Sequence, residues 1–241
     1  MQQLKVFGLT FKGLTREQIF APHDGCRLIV TVNADFIVRA NEQDQRLAEI
    51  INCHTSTFDG MWPFQIARRK FPDIRIEKIS GSDLIYQLAE RCVASSGTLL
   101  LVGGAPASAA GAQANLNRRY CKDFCRAWSP DFEKYPYSAR FVEQFQSLVR
   151  QHKPKVIAFC LGSPSQEYFA QDQLAFMTNE GVEYCIGAGG TVDFLSGKLK
   201  RAPALVQVIG LEGLWRLMTQ PSLFRIQRLL RSVRVFRFMY R

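Results

Sequence analysis

Residues 154–162 read PKVIAFCLG, unbroken in apolar character from Val156 to Leu161, opened by a proline and closed by a glycine. Nearly every position asks for burial, which suits a strand covered on both faces, as in a parallel sheet. Three further runs share the pattern: CRLIVTVN at 26–33, TLLLVGG at 98–104 and VEYCIGAGG at 182–190. Segments of helical period alternate with them: DFIVRANEQDQRLAEIIN at 35–52, SDLIYQLAERCVA at 82–94, PASAAGAQANLNRRY at 106–120 and SARFVEQFQSLVRQH at 138–152. In the last of these, Phe141, Phe145, Leu148 and Val149 recur at i, i+4, i+7 and i+8 and form one apolar face. The alternation predicts a doubly wound, Rossmann-like α/β fold, a mostly parallel sheet with helices on both faces.

Composition bounds what surrounds that sheet. The 241 residues suffice for one large domain or a domain with an appendage. Charge is unevenly spread: the formal net charge is +10, yet residues 213–241 carry seven arginines and no Asp or Glu, leaving 24 − 21 = +3 for residues 1–212. We therefore expect an α/β domain over 1–195 and a basic C-terminal helical appendage over 196–241. The seven cysteines include no CxxC pair, and Met1–Leu9 carries no signal-peptide pattern, which predicts free thiols in a reducing cytoplasm. No apolar run approaches the ~20 residues of a membrane-spanning helix, so any contact of this chain with lipid is expected at the surface.

In doubly wound folds ligands sit beyond the carboxyl ends of the strands. Those ends here read TVNAD, VGGAP, LGSPSQE and GAGGTVD. Glycine lets the backbone approach a ligand, and helix N-termini offer N–H groups to an anion such as a diphosphate. Each turn alone is also an ordinary strand-to-helix connection; together they favour a nucleotide or phosphorylated ligand. Neither GxGxxG nor GxxxxGK[ST] occurs. Asp59 lies in STFDGMWPF. Near Trp62 and Phe64 its carboxylate would hold its proton more tightly and suit general-base work, whereas the commonest use of Asp-Gly is a plain turn. Asp193 reads as a helix cap, Glu167 as first-turn charge compensation, and DFE at 131–133 as a solvated loop. His23, His54 and His152 show no metal-ligand spacing.

The last segment, RIQRLLRSVRVFRFMYR at 225–241, is two-faced. On a helical wheel Ile226, Leu229, Leu230, Val233 and Phe236 fall within about 120° of one another, and Arg225, Arg228, Arg231 and Arg234 take the opposite half. Three readings fit: a helix lying on an anionic membrane, a helix packed on its own domain with solvated arginines, or a nucleic-acid arm.

Taken in order, TVN (31–33), DG (59–60), SGSDL (80–84), LLVGGAP (100–106), LGSPSQE (161–167), GAGGTVDFLSGKLKRAP (187–203) and GLEGLWRLMTQP (210–221) resemble the WecG/TagA/CpsF family, bacterial glycosyltransferases of family 26. The resemblance runs from about Val6 to the C-terminus and is most specific in its last third. It implies transfer of a sugar, with inversion, from a UDP-sugar to a polyprenyl-diphosphate-linked saccharide in cell-surface polysaccharide synthesis, by a peripheral protein on the cytoplasmic face of the bacterial inner membrane. By position, Asp59 corresponds to the catalytic base. Thr31, Asn33 and Gln166 correspond to pocket residues, and Gly103, Gly104, Gly189 and Gly190 lie on the same ligand-facing turns. Lys78 stands where the family commonly carries Arg, keeping the charge but losing the bidentate fork. Arg201 and Arg216 are the appendage residues expected to meet leaving-group charge, and Arg225, Arg228, Arg231 and Arg234 are expected at the anionic membrane. GLEGLW departs from the usual GLEWLY at Gly213 and Trp215. No metal or other cofactor and no nucleic-acid partner is expected on this reading, and a homo-oligomer stays open because the appendage could pack on a neighbouring copy. The competing class is a nucleotide-binding protein with a basic nucleic-acid arm and no transferase activity.

Overall fold

The computed structural model describes residues 2–199, 202–203, 205–206 and 209–239. Six strands form one sheet in the order β4-β3-β8-β7-β5-β6: β3 Arg27–Val32, β4 Thr55–Phe58, β5 Thr98–Gly103, β6 Cys125–Trp128, β7 Pro154–Cys160 and β8 Tyr184–Gly187. The pairs β3–β8, β8–β7, β7–β5 and β5–β6 all run parallel. The expected α/β class is therefore observed, and the four strands read from apolar runs are β3, β5, β7 and β8. A separate antiparallel hairpin, β1 Leu4–Val6 with β2 Leu9–Phe11, precedes the sheet and had no counterpart in the sequence reading.

The chain forms two compact units, one of Met1–Ala21, Val30–Ser80 and Arg201–Arg241, the other of Pro22–Ile29 and Gly81–Lys200. From Arg201 onward, the stretch that composition sets apart as an appendage belongs to the first unit.

In the first unit, α1 (Arg16–Phe20) follows the hairpin, α2 (Ala34–Glu42) and α3 (Gln45–Cys53) follow β3, α4 (Met61–Lys70) follows β4, and the helices Glu212–Thr219 and Leu223–Val233 with a 3₁₀ turn at Arg234–Phe238 complete it. Phe11 and Phe58 stack in its core with ring centroids 4.1 Å apart. The single helix expected over 35–52 is two helices. Asp44 accepts a hydrogen bond from the Leu47 amide at 3.0 Å, so its side chain starts a new helix instead of sitting within an old one. Strand β4, TSTF, is completely buried although mostly polar. Two of its hydroxyls are met by backbone carbonyls: Thr57 donates to Ile79 O at 3.1 Å and Ser56 to Thr10 O at 3.1 Å.

In the second unit, α5 (Gly81–Ala94), α6 (Pro106–Arg119) and α7 (Ala139–His152) match the expected helices within a residue or two. Phe141, Phe145 and Val149 of α7 are buried as the periodicity predicts. Phe145, Phe159 and Phe169 meet in the core with ring centroids 5.0–5.7 Å apart. Helices α8 (Ser165–Asp172), α9 (Leu174–Asn179) and α10 (Thr191–Leu195) follow β7 and β8.

The break between α2 and α3 is directly testable. Asp44→Ala should cost about 1 kcal/mol, the usual loss for a helix cap, read as a lower urea midpoint with unchanged slope.

Candidate active site

In the first unit, the candidate side chains Thr31, Asn33, Asp59 and Lys78 lie at or near the ends of β3 and β4. Thr31 is buried near the end of β3. Asn33 caps α2, its side-chain oxygen accepting from the Phe36 amide at 3.2 Å, which leaves the amide N–H groups as the donors a ligand could use. One residue past β4, the Asp59 amide donates to Val32 O at 2.9 Å and so fixes Asp59 against the end of β3. Gly60 follows at φ +108°, a left-handed backbone that favours glycine, and begins α4. Lys78 is brought alongside by a parallel bridge to Phe58, with the Ile79 amide donating to Phe58 O at 2.9 Å. The Asp-Gly pair thus links β4 to α4, and the Asp59 side chain has charged company.

Loss of hydration pushes the Asp59 carboxyl up to about 6, with the Glu212 carboxylate adding to the rise and Arg216, Arg228 and Lys78 opposing it. Solvent still reaches part of the residue, so the rise reflects a dense surround of protein rather than complete exclusion of water. Glu212 and Arg228 were not among the expected site residues. They lie more than 150 positions from Asp59, and no local pattern could have pointed to them. Arg201 lies outside the described residues.

The arginines expected at the membrane are engaged within the first unit. Arg231 pairs with Asp35 and Arg234 with Glu42, both carboxylates on α2, and Arg228 Nε lies 3.8 Å from Asp35 Oδ2. Arg225 donates to Gln220 O at 2.6 Å. On the other side of these helices Leu223, Phe224, Ile226, Leu230, Val233 and Phe236 are exposed. The packed-helix reading therefore describes the contacts, with the arginines paired rather than solvated. At the departure from GLEWLY, a Cβ on Gly213 would already touch Leu229 Cδ1 at 3.4 Å, so the two C-terminal helices approach closely there.

In the second unit the glycine turns are built tightly on one side and open on the other. Gly103 has φ +108°, and a Cβ there would meet Cys160 O at 2.6 Å; at Gly104, φ +83°, it would meet Val192 Cγ1 at 2.7 Å. Gly189 and Gly190 have nothing within 4 Å of an added Cβ, so their turn has room beside it. Gln166 is buried and holds that turn: its side-chain oxygen accepts from the Gly189 amide at 3.1 Å and its nitrogen donates to Glu167 Oε1 at 2.7 Å. Gln166 thus acts here on the loop's geometry, and Glu167 is a buried partner rather than a surface charge. Asp193 accepts from Ser108 Oγ at 2.7 Å and ties α10 to α6. Glu133 of the DFE stretch accepts from the Ser138 amide and hydroxyl. Among the described residues no three His, Cys, Asp or Glu side chains cluster to hold a metal, and no helix is long and apolar enough to cross a membrane.

The second unit carries open glycine turns at strand ends of a parallel sheet, and the first carries a carboxyl of raised basicity set among cations. The glycosyl transferase WecG/TagA/CpsF family model matches residues 4–241, and the chain belongs to that family. Membership makes it a glycosyltransferase of cell-surface polysaccharide synthesis.

The carboxyl's raised value has a sign that stability measurements can read. A carboxyl whose folded value exceeds its ordinary one favours folding at low pH and loses that contribution as pH rises through about 6. Asp59→Asn should therefore melt higher than the native chain at about pH 8 and nearly with it at about pH 4. A mutant that melts lower at both would mean that the carboxylate is a structural partner.

Proposed function

We propose that the chain is an inverting hexosyltransferase that moves a sugar, such as N-acetylmannosamine, its uronic acid or glucose, from a UDP-sugar to a polyprenyl-diphosphate-linked saccharide. The observation that carries the reading is Asp59, a carboxyl raised to about 6 beside Lys78, Arg216 and Arg228. A base titrating near the working pH is ionised for much of the population yet basic enough to take a proton in the transition state.

In the single displacement, the acceptor O–H bond breaks towards Asp59 as that oxygen attacks the anomeric carbon. The bond from that carbon to the donor diphosphate breaks, its electron pair leaves with UDP, and one displacement inverts the centre. Asp59 then returns its proton to water. Within the second unit taken by itself, we assign an anionic group to the glycine turns at Gly103–Gly104 and Gly189–Gly190, supported by the open space at the latter and by backbone N–H groups at helix starts. Thr31 and Asn33 are assigned to the substrate through their place beside Asp59. Arg216 and Lys78 are assigned the developing negative charge, which is why the reading asks no metal of the site.

The membrane assignment rests on the apolar side chains, not the arginines. Leu223, Ile226, Leu230 and Val233 follow at helical spacing and all are exposed; a stripe of this kind at a surface fits the interface of a bilayer. Beside them Trp62 of α4 meets Phe236 edge-on at 5.7 Å, and the same helix ends in exposed Arg68, Arg69 and Lys70. We infer peripheral attachment at the cytoplasmic face of the inner membrane, where a lipid-linked acceptor presents its head group.

Two measurements test these assignments. With a panel of UDP-sugars and a lipid-linked acceptor, the native chain should release UDP, its rate rising with pH through about 6, and Asp59→Asn should lose a factor of ~10² or more. No transfer by the native chain with any donor, or full turnover by the variant, defeats the reading. Separately, Leu223→Ser/Phe224→Ser/Leu230→Ser should abolish co-sedimentation with vesicles containing anionic lipid while the melting temperature stays close to native. Undiminished binding would remove the apolar stripe from membrane attachment.

A further inference from the structure

Asp35 is the second residue of α2, and its carboxylate is buried, only 4% of the residue remaining exposed. Three guanidiniums surround it. Arg39, one turn further along α2, lies with Nε 3.7 Å from Oδ2; Arg228 lies with Nε 3.8 Å from Oδ2; and Arg231 donates from Nε to Oδ1. Glu42, two turns after Asp35, takes Arg234. Carboxylates seven residues apart thus meet a row of arginines spaced by three, and the Leu223–Val233 helix is seated on α2 along its charged side. The apolar complement is small: Val235 and Phe238 of the following 3₁₀ turn are buried.

Arg228 faces two carboxylates. It lies beside Asp35 and also acts on Asp59, whose other charged neighbours are Lys78, Glu212 and Arg216. The Glu212–Thr219 helix, which brings Glu212 and Arg216, contacts the Leu223–Val233 helix through Gly213 and Leu229. Seating one helix on α2 therefore positions all three C-terminal charges that act on Asp59.

We propose that Asp35 is a positioning residue for the transferase: by fixing the Leu223–Val233 helix on α2 it sets the charge and hydration around Asp59. The proposal rests on the reading of Asp59 as the base, and it goes further by naming what keeps that base in its state. A bystander ion pair would hold the helix without altering Asp59. A positioning residue changes Asp59 when it is removed, because water returns to the carboxyl and Glu212 withdraws. Both changes lower the affinity of Asp59 for its proton; loss of Arg216 and Arg228 works against them, but loss of hydration is the largest cause in the native chain.

The experiment uses the full chain and the variants Asp35→Asn, Arg231→Gln and their double. The Asp59 carboxyl is titrated directly by ¹³C NMR, its signal assigned with Asp59→Asn, and trypsin cleavage within residues 225–234 is timed alongside. Asp35→Asn should move the Asp59 midpoint down from about 6 towards the ordinary carboxylate range. It should also speed cleavage by ~10-fold or more, as expected when a buried pair is broken and a segment opens locally. Arg231→Gln, at a partly exposed position, should do the same in lesser degree, and the double variant should be no worse than Asp35→Asn because the two act through one contact. Faster cleavage with an unmoved midpoint makes Asp35 a plain anchor and overturns the proposal, as does an unchanged chain by both measures. If Asp35→Asn does not fold, Arg231→Gln alone decides by the same two measures. Neither measure requires transfer, so a native chain lacking activity would defeat the base reading without obscuring this result.

Discussion

The carboxylate of Asp35 and the guanidinium of Arg231 meet across 196 residues of chain, and the first unit depends on that meeting. A carboxylate leaves water at a cost of several kcal/mol unless opposite charge replaces the lost hydration. Here Arg39 of α2 supplies part of the replacement and Arg228 and Arg231 from the far end of the sequence supply the rest, so burial of Asp35 is coupled to seating of the C-terminal helix. Arg234 with Glu42, and the buried Val235 and Phe238, follow from the same placement. Because α2 begins directly after Asn33, the helix that receives the C-terminal segment also starts at the candidate site.

Around Asp59 the balance is between dehydration and charge. Burial and the Glu212 carboxylate hold the proton on; Lys78, Arg216 and Arg228 push it off. More cations would yield a carboxylate too acidic to accept a proton from a hydroxyl, and fewer would leave it protonated at neutral pH. Two of the opposing cations, and the assisting carboxylate, belong to the C-terminal helices. The surroundings of Asp59 are therefore incomplete without residues that contribute nothing to the parallel sheet.

What could be read from the sequence follows from how local each signal is. Strands β3, β5, β7 and β8 declare themselves because each is a nearly unbroken apolar run. Strand β4 does not, since Thr55, Ser56 and Thr57 look like loop residues until Thr10 O and Ile79 O are there to accept the hydroxyls of Ser56 and Thr57. Asp44 is polar in a polar stretch, and only its bond to the Leu47 amide marks it as a helix start. Asp59 was legible as a candidate through the resemblance, and its Asp-Gly context alone was undecided. Lys78 was legible likewise. Glu212, Arg228 and Asp35 were not, because their roles exist only in contacts spanning more than 150 residues.

The C-terminal helix shows a further limit of pattern reading. Periodicity separates an apolar half from an arginine half but assigns neither to the protein, and in most globular helices the apolar half is the buried one. Here α2 supplies Asp35 and Glu42, so the arginine half finds its complement on the protein and the apolar half is turned outward. Each Å² of apolar surface left in water forgoes roughly 25 cal/mol of burial, so the exposed Leu223, Ile226, Leu230 and Val233 stand as unspent driving force. Contact with hydrocarbon recovers it without disturbing the ion pairs on the opposite side. On the proposed membrane attachment, a bilayer would hold this helix by one face while α2 holds it by the other, and the charges near Asp59 would stay in place.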